Sequence, residues 1–141
     1  MPRSASDEIR AAIAATARSS ATGTGAISFA TFMQLALYGD GGYYSGLGSA
    51  GRRGDFITSA EAGPLFGAVI ARWLDALWVE LGHPSEFTVV EAAAGTGTLA
   101  RSIRAATPAC LDALRYVAVD VSRSQRACHP DWVISSETMP L

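Results

Sequence analysis

The sequence of 141 residues contains no lysine, and all 11 of its basic positions are arginine. Against 13 acidic residues they leave a net charge of −2, so there is no basic excess to attract a nucleic acid or an anionic membrane. The arginine bias reads as codon composition rather than function. Cysteine is nearly as scarce. Cys110 and Cys128 have neither metal-ligand spacing nor a histidine cluster, which excludes a zinc-type site and a disulfide framework and leaves two reduced thiols. His83 and His129 each precede a proline and are assigned to turns rather than to ligand roles. No apolar run reaches the roughly 20 residues needed to cross a bilayer. Arg3, Arg10 and Arg18 among small residues have the outline of a transit peptide, but Asp7 and Glu8 oppose it and no secretory apolar core is present. The expectation is a cytoplasmic protein with no metal, no nucleic-acid partner and no membrane partner.

What is present is a globular composition, 49% hydrophobic and 17% charged. Residues 6–17 read as a helix capped by Ser6, with Ile9 and Ile13 on one face. Residues 19–25 read as a linker. Ser28 caps a second helix, Phe29–Tyr38, whose apolar stripe is Phe29, Phe32, Met33 and Ala36, and Gly39 stops it. Residues 39–54 hold half of the 14 glycines. They read either as a plain surface loop or, given Tyr43, Tyr44, Arg52 and Arg53, as a mobile loop for substrate contact. A long helix, residues 64–81, opens on Pro64. Leu65, Phe66, Val69, Ile70, Trp73, Leu74, Leu77, Trp78 and Leu81 cover a wide face of it, which predicts a largely buried helix. The tryptophans are assigned to the core rather than to base stacking. Gly82, His83 and Pro84 end it.

The chemistry concentrates downstream. Phe87–Ala92 is a β-branched, apolar run that carries an acid, Glu91. A small-residue turn with Gly95 and Gly97 follows, then a helix from about Thr98 to Ala106. A short helix is expected at 109–114, a second strand at 115–121 containing Asp120, and a third at 132–134. Strand, glycine turn, helix, strand and acid is how a doubly wound sheet holds an adenosine-bearing cofactor. The glycines let backbone approach the ligand, the helix start offers free N–H groups, and the two oxygens of Asp120 match a vicinal diol. Two cofactors compete. Gly95-Thr96-Gly97-Thr98-Leu99-Ala100 fits the G-x-G-x-x-A dinucleotide fingerprint, and Asp120 follows Ala100 by about 20 residues, which favours NAD. Glu91, at the end of the first strand, favours S-adenosyl-L-methionine (SAM). On this segment both stay open.

Several blocks upstream carry a resemblance. ISFATFMQLALY (27–38), GGYYS (41–45), GDFITSAE (54–61), LFGAVIARWLDALW (65–78) and VVEAAAGTGTLARSIRA (89–105) occur in that order. Together they resemble the MidA family of SAM-dependent methyltransferases, over residues 26–141. The family's mitochondrial members are complex I assembly factors that methylate an arginine of a complex I subunit. The resemblance implies an α/β, Rossmann-like class I methyltransferase fold preceded by a helical extension, and SAM as cofactor. Glu91, Ala93, Gly95, Gly97 and Asp120 match the cofactor-binding positions. Gly54, Asp55, Phe56, Thr58, Ser59 and Glu61 match the signature block beside the active site, with Asp55 and Glu61 as candidate catalytic carboxylates. The sequence departs from the family at Asp40 and Ala60, where proline is usual, and at Ala93, where glycine is usual.

The family is more than twice this long, so the fold is expected to be C-terminally incomplete and the chain to be an N-terminal fragment. Three regions are expected: 1–25, a helix and linker; 26–84, the helical extension; and 85–141, the first half of the SAM-binding domain. The first strand would then be a bare edge, open to a second copy or to a missing C-terminal part. A protein substrate is implied, a respiratory complex I subunit in the mitochondrial relatives. The alternatives are a non-catalytic assembly module with a partial methyltransferase fold, and an NAD-binding protein.

Overall fold

The computed structural model describes residues 4–20, 25–45 and 54–140. The chain divides into two compact units, residues 1–49 and 50–141. In the first, α1 (Ala5–Arg18) packs against α2 (Phe29–Tyr38). The cap of α1 is Ser4, two residues before the expected Ser6. Its hydroxyl accepts from the Asp7 backbone N–H (3.3 Å) and donates to the Asp7 carboxylate (2.8 Å). An acid three residues into the helix makes Ser4 the reciprocal partner, which Ser6 lacks. In α2 the expected bounds hold, and the Ser28 hydroxyl accepts from the Thr31 N–H at 3.1 Å. The chain then winds back: Tyr43 and Tyr44 donate their N–H groups to Ala36 and Leu37, and the rings of Tyr38 and Tyr44 stack at 5.6 Å. The middle of the glycine-rich segment, with Arg52 and Arg53, and most of the 19–25 linker lie outside the described residues.

The second unit runs α3 (Ser59–Ala62), α4 (Pro64–Glu80), β1 (Phe87–Ala92), α5 (Thr98–Ala105), β2 (Leu114–Val119), α6 (Arg123–Arg126) and β3 (Ile134–Ser136). The strands form one parallel sheet in the order β1-β2-β3, with β1 at an edge. Ala92 aligns with Val119, and Val119 with Ser136, so the three strands end level. The glycine turn and Asp120 therefore leave the sheet side by side, at the carboxyl edge where α/β sheets bind ligands. β2 is central, and Tyr116, Val117, Ala118 and Val119 are all buried.

Several expected elements differ. Where a helix is expected over 109–114, residues 109–113 form successive tight turns and Leu114 already belongs to β2, because the Asp75 carboxylate takes the Cys110 N–H at 3.0 Å and fixes the chain there. β2 starts one residue early and ends at Val119, since Asp120 turns away to serve the loops. β3 begins at Ile134, not at Trp132, whose ring packs against Tyr116 (5.5 Å) and under the Arg104 guanidinium (5.2 Å). Burial alone would raise the Asp75 pKa, but N–H bonds from Cys110 and Ala109 and the charge of Arg72 hold it below its usual value. Burial pushes the Cys110 thiol up to about 11, with Asp75 adding to the effect, so the thiol is inert at neutral pH.

The expectation of a largely buried α4 is overturned. Only Gly67, Ala71 and Leu74 are buried, whereas Leu65 is 76% and Val69 and Trp73 are 57% exposed. The reason is helical phase. Gly67, Ala71 and Leu74 share the face that meets α5, and Leu65 and Val69 project from the opposite side. Small residues on the inner face let the two helices approach closely. A Cβ at Gly67 would overlap the Ser102 Cβ and lie 2.9 Å from the Ser102 carbonyl carbon. Helix propensity would favour Gly67→Ala by about 1 kcal/mol, but overpacking of this contact costs about 1–3 kcal/mol. Gly67→Ala is therefore expected to lower stability in chemical denaturation. Adding Ser102→Gly, which removes the opposing Cβ, should recover part of that loss in a double-mutant cycle.

Candidate cofactor site

The turn after β1 is built on left-handed backbone. Ala93 (φ 56°), Gly95 (φ 56°) and Gly97 (φ 79°) all adopt it. For Ala93 this costs on the order of 1 kcal/mol, which glycine would not pay. Its side chain is exposed, so the methyl does not press on the core. Ala94 is buried and anchors the turn, donating its N–H to Val119 O (2.9 Å) and accepting from the Gly97 N–H (2.9 Å). The two glycines have different reasons. A Cβ at Gly95 would meet nothing within 4 Å, so this side of the loop is open to a ligand. A Cβ at Gly97 would lie 2.9 Å from Pro130 Cδ. Packing within the protein thus gives a further reason for glycine at Gly97, beside the ligand approach expected from the sequence.

Asp120 closes the loop onto the sheet. One carboxylate oxygen accepts the Gly95 N–H at 2.9 Å and the other the Ser122 N–H at 2.8 Å. Its own carbonyl accepts from Arg126 at 2.7 Å, and its N–H donates to Ser136 O at 3.0 Å. A carboxylate offers about four acceptor sites, so two N–H bonds leave capacity for a diol. On the neighbouring strand, Glu91 accepts from the buried Tyr116 hydroxyl at 2.9 Å. Burial pushes the Glu91 carboxyl above its usual value; the Tyr116 bond opposes this, and the negative charge of Asp120 adds to it. Burial, then Glu91, push the Tyr116 phenol upward in turn. Glu91 is thus partly desolvated and carries its carboxylate beside a second acid at the adjacent strand end.

Two further residues hold this loop, and neither was assigned to it from sequence. The Arg101 guanidinium donates to Thr96 O (2.8 and 2.9 Å), Gly97 O (3.3 Å) and Cys128 O (3.1 and 3.3 Å). A cation near the start of α5 is opposed by the helix dipole unless it has such acceptors, so a signal existed in the sequence. His129 bridges Gly95 O (3.0 Å, through Nε2) and the Ser135 hydroxyl (2.9 Å, through Nδ1). The sequence placed it in a plain turn, and nothing local marks a contact spanning 34 residues.

The signature block lies at the start of the same unit. Gly54, Asp55 and Thr58 are exposed, and Phe56 is 42% exposed. Thr58 precedes α3 and accepts backbone N–H bonds from Glu61 (3.0 Å) and Ala62 (3.1 Å). Ser59 opens α3, and Glu61 on α3 is half-buried. α3 packs against α4 and against α5, the helix that grows out of the glycine loop. The structure thereby gathers Glu91, Ala93, Gly95, Gly97 and Asp120 at one sheet end. It sets the α3 part of the signature block, with Ser59 and Glu61, against the neighbouring helix. Among the described residues no cluster of His, Cys, Asp or Glu suits a metal ion, and no helix is long and apolar enough to cross a membrane.

Comparison with known proteins follows the same lines. Residues 69–130 match the family described as "Putative S-adenosyl-L-methionine-dependent methyltransferase". Over 81 residues, 57% of this chain, the sequence is 43% identical to the mitochondrial protein arginine methyltransferase NDUFAF7 homolog of Drosophila melanogaster. Over the same length it is 37% identical to human mitochondrial protein arginine methyltransferase NDUFAF7. The match covers 18% of each of those proteins, so the chain aligns with under a fifth of their length. A crystal structure of an uncharacterized ACR superfamily protein from Burkholderia thailandensis superposes with a TM-score of 0.66 at 32% identity, covering 99% of this chain and 38% of that one. The matched arginine methyltransferases are mitochondrial proteins, which overturns the expectation of a cytoplasmic location. Residues 69–130, with most of α4, β1, the glycine loop, α5, β2 and His129, are thus the part of the chain that is similar to S-adenosyl-L-methionine-dependent methyltransferases.

Proposed function

We propose that this chain supplies the cofactor-binding half of a SAM-dependent methyltransferase that acts on arginine in a protein substrate. The observation that carries the reading is the glycine turn, open over Gly95 and stapled to β2 by Asp120, with Glu91 on the adjacent strand end. The residues fit the cofactor. Asp120 keeps acceptor capacity for the ribose diol, Glu91 offers a carboxylate for the cationic methionine end, and the exposed Ala93 methyl leaves the turn intact. When bound, SAM supplies the sulfonium methyl. The protein's share is orientation, which by itself accounts for much of a transfer rate. An arginine acceptor stays protonated near neutral pH, so it needs a carboxylate to orient it and receive its proton. Asp55 and Glu61 take that role in this reading.

The open edge of β1 favours a second reading, an assembly module that pairs through this strand with a second copy or with a further part of the protein. Ligand binding separates the two. Calorimetry on the chain is expected to show binding of SAM and S-adenosylhomocysteine, and a thermal-shift assay no protection by NADH. Asp120→Asn, which keeps the shape but halves the acceptor set, should weaken S-adenosylhomocysteine at least tenfold, about 1.4 kcal/mol. Absence of binding to the unmodified chain would favour the assembly reading.

Glu91 gives a test in which stability and binding move in opposite directions. Its folded pKa is raised above the usual 4.5. The stability linked to it is therefore complete below that value and declines as pH rises through the folded pKa. Glu91→Gln removes the charge and can still accept from Tyr116. Its thermal midpoint should exceed that of the unmodified protein at pH 7 and lose the difference near pH 4, while its affinity for S-adenosylhomocysteine falls.

A further inference from the structure

We infer that His129 is a positioning residue for the cofactor loop, fixing which edge of its peptides faces the ligand; the inference rests on the SAM-binding reading above. The carbonyls of Gly95, Thr96 and Gly97 are tied on one side. His129 Nε2 lies 3.0 Å from the first, and the Arg101 guanidinium holds the other two while gripping Cys128 O. All of these contacts lead to one segment, Cys128-His129-Pro130, between α6 and β3. Pro130 sits where a side chain at Gly97 would be, so the loop is backed by this segment as well as hydrogen-bonded to it.

The consequence follows from the trans peptide. C=O and N–H point in opposite directions across each unit, and no peptide among the described residues is cis. Holding the Gly95 and Gly97 carbonyls toward His129 and Arg101 turns the N–H groups of Thr96 and Thr98 to the other side of the loop. Those N–H groups stand at the start of α5, where an anionic ligand group is best received. The tautomer is set by the partners. A carbonyl can only accept, so Nε2 carries the proton toward Gly95 O. In the neutral ring Nδ1 then accepts from the Ser135 hydroxyl. Ser135, on β3, thus orients the imidazole that orients the loop. Arg101 alone does not fix the Gly95 carbonyl. Without His129 the Gly95–Thr96 peptide is free to rotate, although Asp120 still holds the Gly95 N–H.

The test compares the unmodified chain, His129→Ala and His129→Gln. Gln retains an N–H donor for Gly95 O. Three readouts are used: amide hydrogen exchange at Gly95 and Gly97, calorimetry with S-adenosylhomocysteine, and the thermal midpoint. His129→Ala is expected to speed exchange at both amides at least tenfold and to weaken S-adenosylhomocysteine by a similar factor. His129→Gln should restore both readouts to within about threefold. A merely structural role predicts equal gains in exchange across β2 and the loop, in step with the midpoint, and no selective rescue by Gln. That pattern overturns the inference, as does exchange at Gly95 and Gly97 within twofold of the unmodified chain. If His129→Ala does not fold, His129→Gln and Ser135→Ala decide it. In that case Ser135→Ala must speed exchange at Gly95 while His129→Gln does not. Should the unmodified chain bind no S-adenosylhomocysteine, the SAM reading fails, while the exchange data still decide the role of His129 in the loop.

Discussion

A single carboxylate, that of Asp120, connects the parts of the candidate site. It stands where β2 ends, level with the end of β1, and takes one N–H from the glycine loop and one from the turn that leads into α6. A charged acceptor with two backbone donors is among the stronger hydrogen-bonding arrangements. Through it the loop, the sheet and the α6 connection adopt one geometry. The Arg126 bond to the Asp120 carbonyl and the ion pair from Arg126 to Glu137 (3.1 Å) extend the same tie toward the chain beyond β3. The backbone strain at Ala93 persists because Ala94, anchored to Val119, and Asp120 hold the turn from both sides.

The site trades stability for readiness. Glu91 is partly desolvated next to a second acid, an arrangement that folding does not favour at neutral pH. Ala93 spends about 1 kcal/mol in a conformation suited to glycine. Such costs gather at ligand sites because the groups are arranged for a partner other than the protein. The core offsets them by ordinary means, with Leu74, Ile103, Phe87 and Tyr116 packed around the close α4–α5 contact. Among the described residues of the second unit, the apolar outer row of α4 and the unpaired side of β1 stay open. Both are where association with a further surface would stabilise the fold.

Much of this could be read from local pattern. The bounds of α2 and β1 and the start of α5 follow from Ser28, from the β-branched run at 87–90 and from the glycine turn, all of them signals within a few residues. The SAM reading came from the order of the motif blocks, and the family match over 69–130 supports it. The misplaced parts share a cause. Ser6 lost the cap to Ser4 because the reciprocal partner, Asp7, decides the position. The expected helix at 109–114 yielded to a bond from Asp75, which is 35 residues away in sequence. The width of the apolar face of α4 was visible, but which part of it meets α5 was set by the small residues Gly67 and Ala71 and their fit to Ser102.

By itself, then, the sequence determined the elements and the chemistry at the carboxyl ends of the strands, because strand pattern, glycine turns and acids at strand ends are encoded locally. The tertiary structure decided what holds them. Pro130 sits where a side chain at Gly97 would be, the loop carbonyls are aimed by Arg101 and His129, and Asp120 is a staple as well as an acceptor. Apart from the local bonds of Arg101 to Thr96 and Gly97, these depend on groups far apart in the chain meeting within about 3 Å. No periodicity encodes such meetings, since the level ends of β1, β2 and β3 bring them about.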